Sequence, residues 1–129
     1  PASAVKLMQF FWPGPLTIVF KASTKISPLL TAQTGKIGIR ISSHPGATAI
    51  VQKLGRPLTA TSANLSGAAE CSTAAEVFAQ IGNKIDALVD LGKTAGGLGS
   101  TIIDVTISPP KILREGVISR ISIDQFLES

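Results

Sequence analysis

Leu16-Thr17-Ile18-Val19-Phe20 is the stretch that most narrows the folds open to this chain. It is near-continuously apolar and rich in β-branched residues. It is also too short for a buried helix, so it reads as a strand covered on both faces. What precedes it sets where it begins. Ala4 to Phe11 carries Val5, Leu7, Met8 and Phe11 as the apolar side of a helix. Phe11-Trp12-Pro13-Gly14-Pro15 then ends that helix, because two prolines cannot continue it. Pro13-Gly14 suits the centre of a type II turn. A helix handed through a stiff turn into a buried strand is the beginning of a layered α/β arrangement. The Phe11–Trp12 pair reads as core packing, and the proline turn would equally serve as the rigid wall of a pocket.

The rest of the chain repeats this alternation. Ser27 to Gln33 reads as one or two irregular helical turns closed by Thr34-Gly35. Ile37-Gly38-Ile39-Arg40-Ile41 alternates, placing three isoleucines on one face and Gly38 and Arg40 on the other. An arginine on a strand suited to burial calls for an anion to offset its desolvation, with a surface ion pair as the alternative. Pro45 at a first helical position opens a helix whose Ala47, Ile50, Val51 and Leu54 share one face, stopped by Gly55. His44 then falls at the N-cap or in the loop before it. Thr73-Ala74-Ala75-Glu76 is a capping box that opens a helix through Val77, Phe78 and Ile81 to Gly82. Ala87 to Asp90, Ser100 to Val105 and Lys111 to Arg114 read as further strands. Pro109-Pro110 makes a turn, Glu115-Gly116 a tight exit, and Ser122 caps a last short helix through Leu127.

One stretch concentrates ligand-binding groups. In Pro57-Leu58-Thr59-Ala60-Thr61-Ser62-Ala63-Asn64-Leu65-Ser66-Gly67, a β-prone run from Leu58 to Thr61 empties into hydroxyls, one amide and a glycine. Ligands of α/β sheets gather where strands end at their carboxyl edge. Ser62, Asn64 and Ser66 supply donors and acceptors but no strong acid or base. The chemistry is that of a cradle for a polar or anionic ligand, not of a proton-transfer site. A Ser/Thr turn leading to a helix N-cap is the plainer reading. Gly92-Lys93-Thr94 invites a phosphate-loop reading and fails it. Ala87 stands where the first glycine belongs, and Gly96-Gly97 follows where a helix should start.

Composition removes several classes. Its 129 residues suit one domain, and 44% hydrophobic against 16% charged residues excludes a disordered chain. No apolar run is long enough to span a bilayer and no signal peptide is visible, so a soluble cytoplasmic location is expected. With one cysteine, Cys71, and one histidine, His44, neither an internal disulfide nor a Cys/His zinc site can be assembled. The net charge of +4 favours nucleotide, phosphate or RNA partners. The basic residues are scattered, however, there is no Tyr, and one Trp and five Phe leave little to stack on bases.

Five stretches, taken in order, resemble the YrdC/TsaC family of threonylcarbamoyl-AMP synthases: Phe11-Trp12-Pro13-Gly14-Pro15-Leu16-Thr17; Ile39-Arg40 followed by His44-Pro45; Thr61-Ser62-Ala63-Asn64-Leu65-Ser66-Gly67; Ser100-Thr101-Ile102-Ile103-Asp104; and Leu113-Arg114-Glu115-Gly116. The resemblance implies an α/β (α+β) fold, a twisted mixed sheet with flanking helices around a basic cavity. It also implies a reaction joining L-threonine, bicarbonate and ATP, with Mg²⁺ carried by the nucleotide, into threonylcarbamoyl-AMP and pyrophosphate. That product serves threonylcarbamoyladenosine (t6A) modification of tRNA, which makes tRNA and the threonylcarbamoyl transferase machinery expected partners. Carried over by position, Arg40, Ala60 and Ser100, with His44 beside them, would bind threonine. Lys36, Ser62, Asn64 and Arg114 would bind ATP. No protein nucleophile and no protein-held metal are implied, and no residue is singled out as catalytic. The family's Ser-Pro-Thr after the glycine is Glu70-Cys71-Ser72 here. Its early Pro-Thr-(Asp/Glu)-Thr-x-Tyr-Gly stretch and Lys-x-Arg motif are not in the sequence. Residues 1–129 therefore read as the C-terminal portion of such a domain, expected not to complete the reaction alone. An RNA-binding module of the same fold and a catalytically weak paralogue are the competing readings. The carbamoyl-transferring domain of a hydrogenase-maturation protein would need large flanking domains.

Overall fold

The computed structural model describes residues 1–94 and 96–128. In chain order the elements are helix α1 (Ala2–Phe11), strands β1 (Leu16–Lys21) and β2 (Lys36–Ile39), helices α2 (Pro45–Leu54) and α3 (Ala74–Ile81), strands β3 (Thr101–Asp104) and β4 (Lys111–Arg114), and helix α4 (Arg120–Glu128). A 3₁₀ turn, Gly82–Lys84, follows α3. They fall into two compact units, Pro1–Thr48 with Leu98–Ser129, and Ala49–Gly97.

The first unit is an α/β layer built on the expected strand. The sheet order is β2-β1-β3-β4, with β1 and β3 parallel and both outer pairs antiparallel. Strand residues alternate between faces. Leu16, Ile18 and Ile103 therefore turn to one side, where Ala4 and Leu7 of α1, Ile112 of β4 and Ile123 of α4 close a core with Val105. Phe10, Phe11 and Phe126 extend this contact between the two helices, with ring centroids 4.7–5.4 Å apart. Trp12 donates its indole N–H to the Leu16 carbonyl at 2.7 Å, which ties the end of α1 to the start of β1. Core packing is thus the reading the aromatic pair fulfils.

The turn between them is not type II. Gly14 lacks the positive φ such a turn demands at its second central residue. It is glycine for another reason: a Cβ there would collide with the Phe11 carbonyl. Its N–H donates to the Ile41 carbonyl at 2.9 Å, fastening the turn to the stretch that follows β2.

Four further expectations are corrected. β2 ends at Ile39 rather than Ile41, and it is an edge strand, so Ile39 and Ile41 are 44% and 47% exposed. Arg40 stays in water, and the desolvation argument for an anion beside it lapses. Leu58–Thr61 and Ala87–Asp90 form no strand, because neither run pairs with a neighbour. The cap of α4 is Ser119, whose Oγ accepts from the Ser122 N–H at 3.2 Å; Ser122 lies inside the helix.

The second unit contains no buried residue among those described. Hydrogen bonds give it local order instead. The capping box of α3 forms as expected, with Thr73 Oγ1 accepting from Glu76 N and Glu76 Oε2 accepting from Thr73 N, both at 3.2 Å. The same carboxylate accepts from Ser72 N at 2.6 Å, and these backbone donors hold its pKa below the usual carboxylate value. No described helix is long and apolar enough to cross a membrane.

Candidate functional site

The sheet topology brings four polar residues of the first unit into one row. β1 and β3 run parallel while β2 and β4 run against them. The starts of β1 and β3 therefore lie at the same end of the sheet as the finishes of β2 and β4. Thr17 and Ser100 lie at the two starts and Arg40 and Arg114 at the two finishes, so across the sheet the row runs Arg40, Thr17, Ser100, Arg114. Arg40 lies one residue beyond the Ile18–Ile39 pair, so the register carries it opposite Thr17. This is the amino edge of the two central strands, not the carboxyl edge expected for a ligand site.

The row is joined by direct contacts. Thr17 Oγ1 and Ser100 Oγ lie 2.8 Å apart. Arg114 donates from Nη2 and Nε to the Ser100 carbonyl at 2.8 and 3.3 Å, and from Nη2 to Ser100 Oγ at 3.5 Å. Arg40 donates from Nε to the Gly14 carbonyl at 2.9 Å, which leaves the outer edge of its guanidinium for another acceptor. Its surface ion-pair alternative is not formed among the described residues. Glycine at 99 leaves room for the Arg114 guanidinium, since a Cβ there would stand 3.0 Å from Nη2 and the arginine would have to give way.

Beneath the row lies a hydroxyl hub, Thr101, that sequence reasoning did not single out. Its side chain is fully buried; Oγ1 accepts from Gly116 N at 2.9 Å and Ile118 N at 3.1 Å, and donates to the Ile118 carbonyl at 2.6 Å. Val117 N also donates to the Gly99 carbonyl at 3.0 Å. The Leu113–Gly116 and Ser100–Asp104 stretches, read as separate motifs, are thereby one structure. Gly116 packs so tightly on Gly99–Thr101 that a Cβ would sit 2.7 Å from Thr101 N.

Two other candidates of this unit are already engaged. Lys36 Nζ pairs with Asp104 Oδ2 at 2.8 Å across β1. The Lys36 ammonium above all, with a hydrogen bond from the Thr106 backbone N–H at 2.8 Å, holds the Asp104 carboxyl down at about 2. His44 caps α2, its Nδ1 accepting from Gly46 N at 3.2 Å and its carbonyl accepting from Thr48 N at 3.1 Å. The N-cap place was one of the two open to it.

Ala60, Ser62 and Asn64 belong to the second unit, in an exposed stretch without regular structure; Asn64 is half-buried. Asn64 Nδ2 donates to the Leu65 and Ala68 carbonyls at 3.0 and 2.9 Å, and its Oδ1 is buried with no partner. Gln80 of α3 brackets the same loop, accepting from Leu65 N at 2.9 Å and donating to the Ala69 carbonyl at 3.3 Å. No signal in the sequence marks Gln80, which with Glu76 is one of two polar residues on its helix. Thr94 is tied by N and Oγ1 to the Ser72 carbonyl, so the rejected phosphate loop ends in a local tether. Among the described residues no three His, Cys, Asp or Glu side chains gather to hold a metal ion.

Known proteins share this sequence and fold. The threonylcarbamoyl-AMP synthase of Pyrococcus abyssi is 36% identical over 116 residues, 90% of this chain and 34% of that protein. The synthases of Photobacterium profundum and Bacillus subtilis are 40% and 36% identical over 105 and 125 residues, which are 56% and 36% of their lengths. The crystal structure of P. abyssi Sua5 complexed with L-threonine superposes with a TM-score of 0.93 at 34% identity, covering 98% of this chain and 37% of that one. E. coli YciO does so with a TM-score of 0.75 at 30% identity, covering 95% and 60%. The chain thus spans between about a third and three-fifths of the relatives it matches. Residues 1–116 match the Sua5/YciO/YrdC family, described as telomere recombination, and the chain belongs to that family.

Proposed function

We propose that the first unit supplies the amino-acid site of a threonylcarbamoyl-AMP synthase, the enzyme that makes threonylcarbamoyl-AMP and pyrophosphate from L-threonine, bicarbonate and ATP. The observation that carries the proposal is the row of two guanidinium groups and two hydroxyls at one end of the sheet. Its support from outside is the close superposition on a relative complexed with L-threonine. The chemistry asks the protein to hold threonine by its carboxylate while its amino nitrogen bonds to the carbon of bicarbonate, whose hydroxyl leaves as water with a proton from that nitrogen. The resulting carbamate oxygen then displaces pyrophosphate from the α-phosphorus of ATP. An arginine fork suits the carboxylate, and positioning plus charge stabilisation suits the adenylation step. No protein nucleophile is needed.

In this reading Arg40 and Ser100 engage the threonine carboxylate. Arg114, one strand further, would face the nucleotide phosphates. Ser62 and Asn64 are the nucleotide candidates of the second unit, where the partnerless Oδ1 of Asn64 offers an acceptor. Mg²⁺ would arrive on the ATP phosphates. Lys36, paired with Asp104, is the weakest of the nucleotide candidates, and His44 serves its helix. The names of the relatives favour the synthase over an RNA-binding module. The test is calorimetric titration with L-threonine, then with Mg²⁺-ATP, on the wild-type chain and Arg40→Ala. Loss of L-threonine binding in a variant that remains folded is the expected result. Unchanged binding in that variant, or none in the wild type, would refute the assignment.

A further inference from the structure

We propose that Thr17 is a positioning residue, whose hydroxyl turns the Ser100 proton outward toward a bound carboxylate. The proposal rests on the reading of the row as an amino-acid site. Its geometry comes from both neighbours of β1. A β-branched side chain has a stiff χ1, and here both branches are engaged. The methyl of Thr17 points at β2, where a Cβ on Gly38 would stand 3.1 Å from Cγ2. The hydroxyl points the other way, 2.8 Å from Ser100 Oγ at the start of β3. Glycine at 38 leaves room for the methyl, and the methyl in turn fixes the hydroxyl.

The proton count gives the pair a direction. Each hydroxyl has one proton and two lone pairs, and Arg114 can only donate. If Thr17 donates to Ser100, the Ser100 oxygen accepts from Thr17 and, at 3.5 Å, from Arg114 Nη2. Its own proton then has no inward acceptor and is left for the ligand. If Ser100 donated to Thr17 instead, it would present lone pairs to an anion and repel it. A carboxylate therefore selects the chain from Thr17 through Ser100 to the ligand. Thr17 touches no substrate in this arrangement and acts through Ser100.

The experiment compares the wild-type chain with Thr17→Val, which keeps the shape but loses the hydroxyl, and Thr17→Ser, which keeps the hydroxyl. Calorimetry is run with L-threonine and with L-threoninol, whose alcohol replaces the carboxylate. Thr17→Val should weaken L-threonine about 5- to 10-fold, the worth of one hydrogen bond. Thr17→Ser should stay within about twofold of wild type, and L-threoninol should not register the valine change. Without ligand, the Ser100 Hα–Hβ couplings should report one rotamer in wild type and Thr17→Ser, and an average in Thr17→Val. Equal losses in both variants, or an equal loss for both ligands, would overturn the proposal. Should the wild type bind no L-threonine, the amino-acid site falls, and the couplings decide on Thr17 by themselves. Averaging in Thr17→Val would support the positioning role, and unchanged couplings would overturn it.

Discussion

Replacing Thr101 by valine removes one oxygen and tests whether the row of site residues depends on the hub beneath it. The methyl that replaces the hydroxyl fills the same space, so no cavity forms and the loss is one of hydrogen bonding. Gly116 N–H, buried and bonded at 2.9 Å, is left without an acceptor in a place water does not reach. An unsatisfied buried donor costs about 1–3 kcal/mol. Ile118 N–H is partly exposed and can recover a water, so its loss adds roughly 0–1 kcal/mol. The Ile118 carbonyl loses its 2.6 Å donor but keeps water access through its residue's partial exposure. The net expectation is a destabilisation of about 2–3 kcal/mol, a large part of the stability typical of a small domain. Urea unfolding should show it as a midpoint lowered by roughly 1–2 M at unchanged slope. Amide exchange at Gly116 and Ile118 should accelerate more than at Val105. Thr101→Ser keeps the hydroxyl and should fall well short of the valine loss. A valine loss below about 0.5 kcal/mol, or serine as damaging as valine, would refute the reasoning.

Three further outcomes follow from contacts described above. The Asp104 carboxyl sits at about 2 against an ordinary 3.8, so its pairing stabilises the fold fully above pH 4, and the contribution fades as pH falls from about 4 toward 2. Asp104→Asn should flatten that limb in urea midpoints measured between pH 7 and 2.5, and Lys36→Met should shrink it. Gln80→Leu removes both bonds that bracket the Asn64 loop, so exchange at the Leu65 amide should rise at least tenfold, the loss of about 1.4 kcal/mol of protection, while that at Ile103 is unchanged. Gly116→Ala drives a methyl into the Gly99–Thr101 backbone and should lower stability by about 2 kcal/mol or more in thermal unfolding, with a weaker signal for the Arg114 contact to Ser100.

What the sequence disclosed and what it hid divide along a physical line. α1, β1, α2 and the Thr73–Glu76 box were legible because local chemistry decides them: helix-stopping prolines, a run of β-branched residues, a capping pair three positions apart. Leu58–Thr61 and Ala87–Asp90 have strand-like residues too, but a strand exists only through a partner, and propensity does not name one. Ser119 and Ser122 each qualify as a cap, and choosing between them required knowing where the chain leaves the Thr101 hub. Thr17, Thr101 and Gln80 were hidden for the same reason as the false strands. A hydroxyl in a strand or an amide on a helix is unremarkable until the group it bonds is known, and for Thr17 that group lies 83 residues away. The row has meaning only through the parallel pairing of β1 with β3, which sets Pro15–Thr17 beside Ser100–Ile102 after a long excursion through β2, α2 and the second unit. Family motifs marked Arg40, Ser100 and Arg114 individually, yet the chemistry asks for them collectively. The residues that make them collective, Thr17 between the strands and Thr101 below them, therefore belong to the candidate site by geometry although neither is charged.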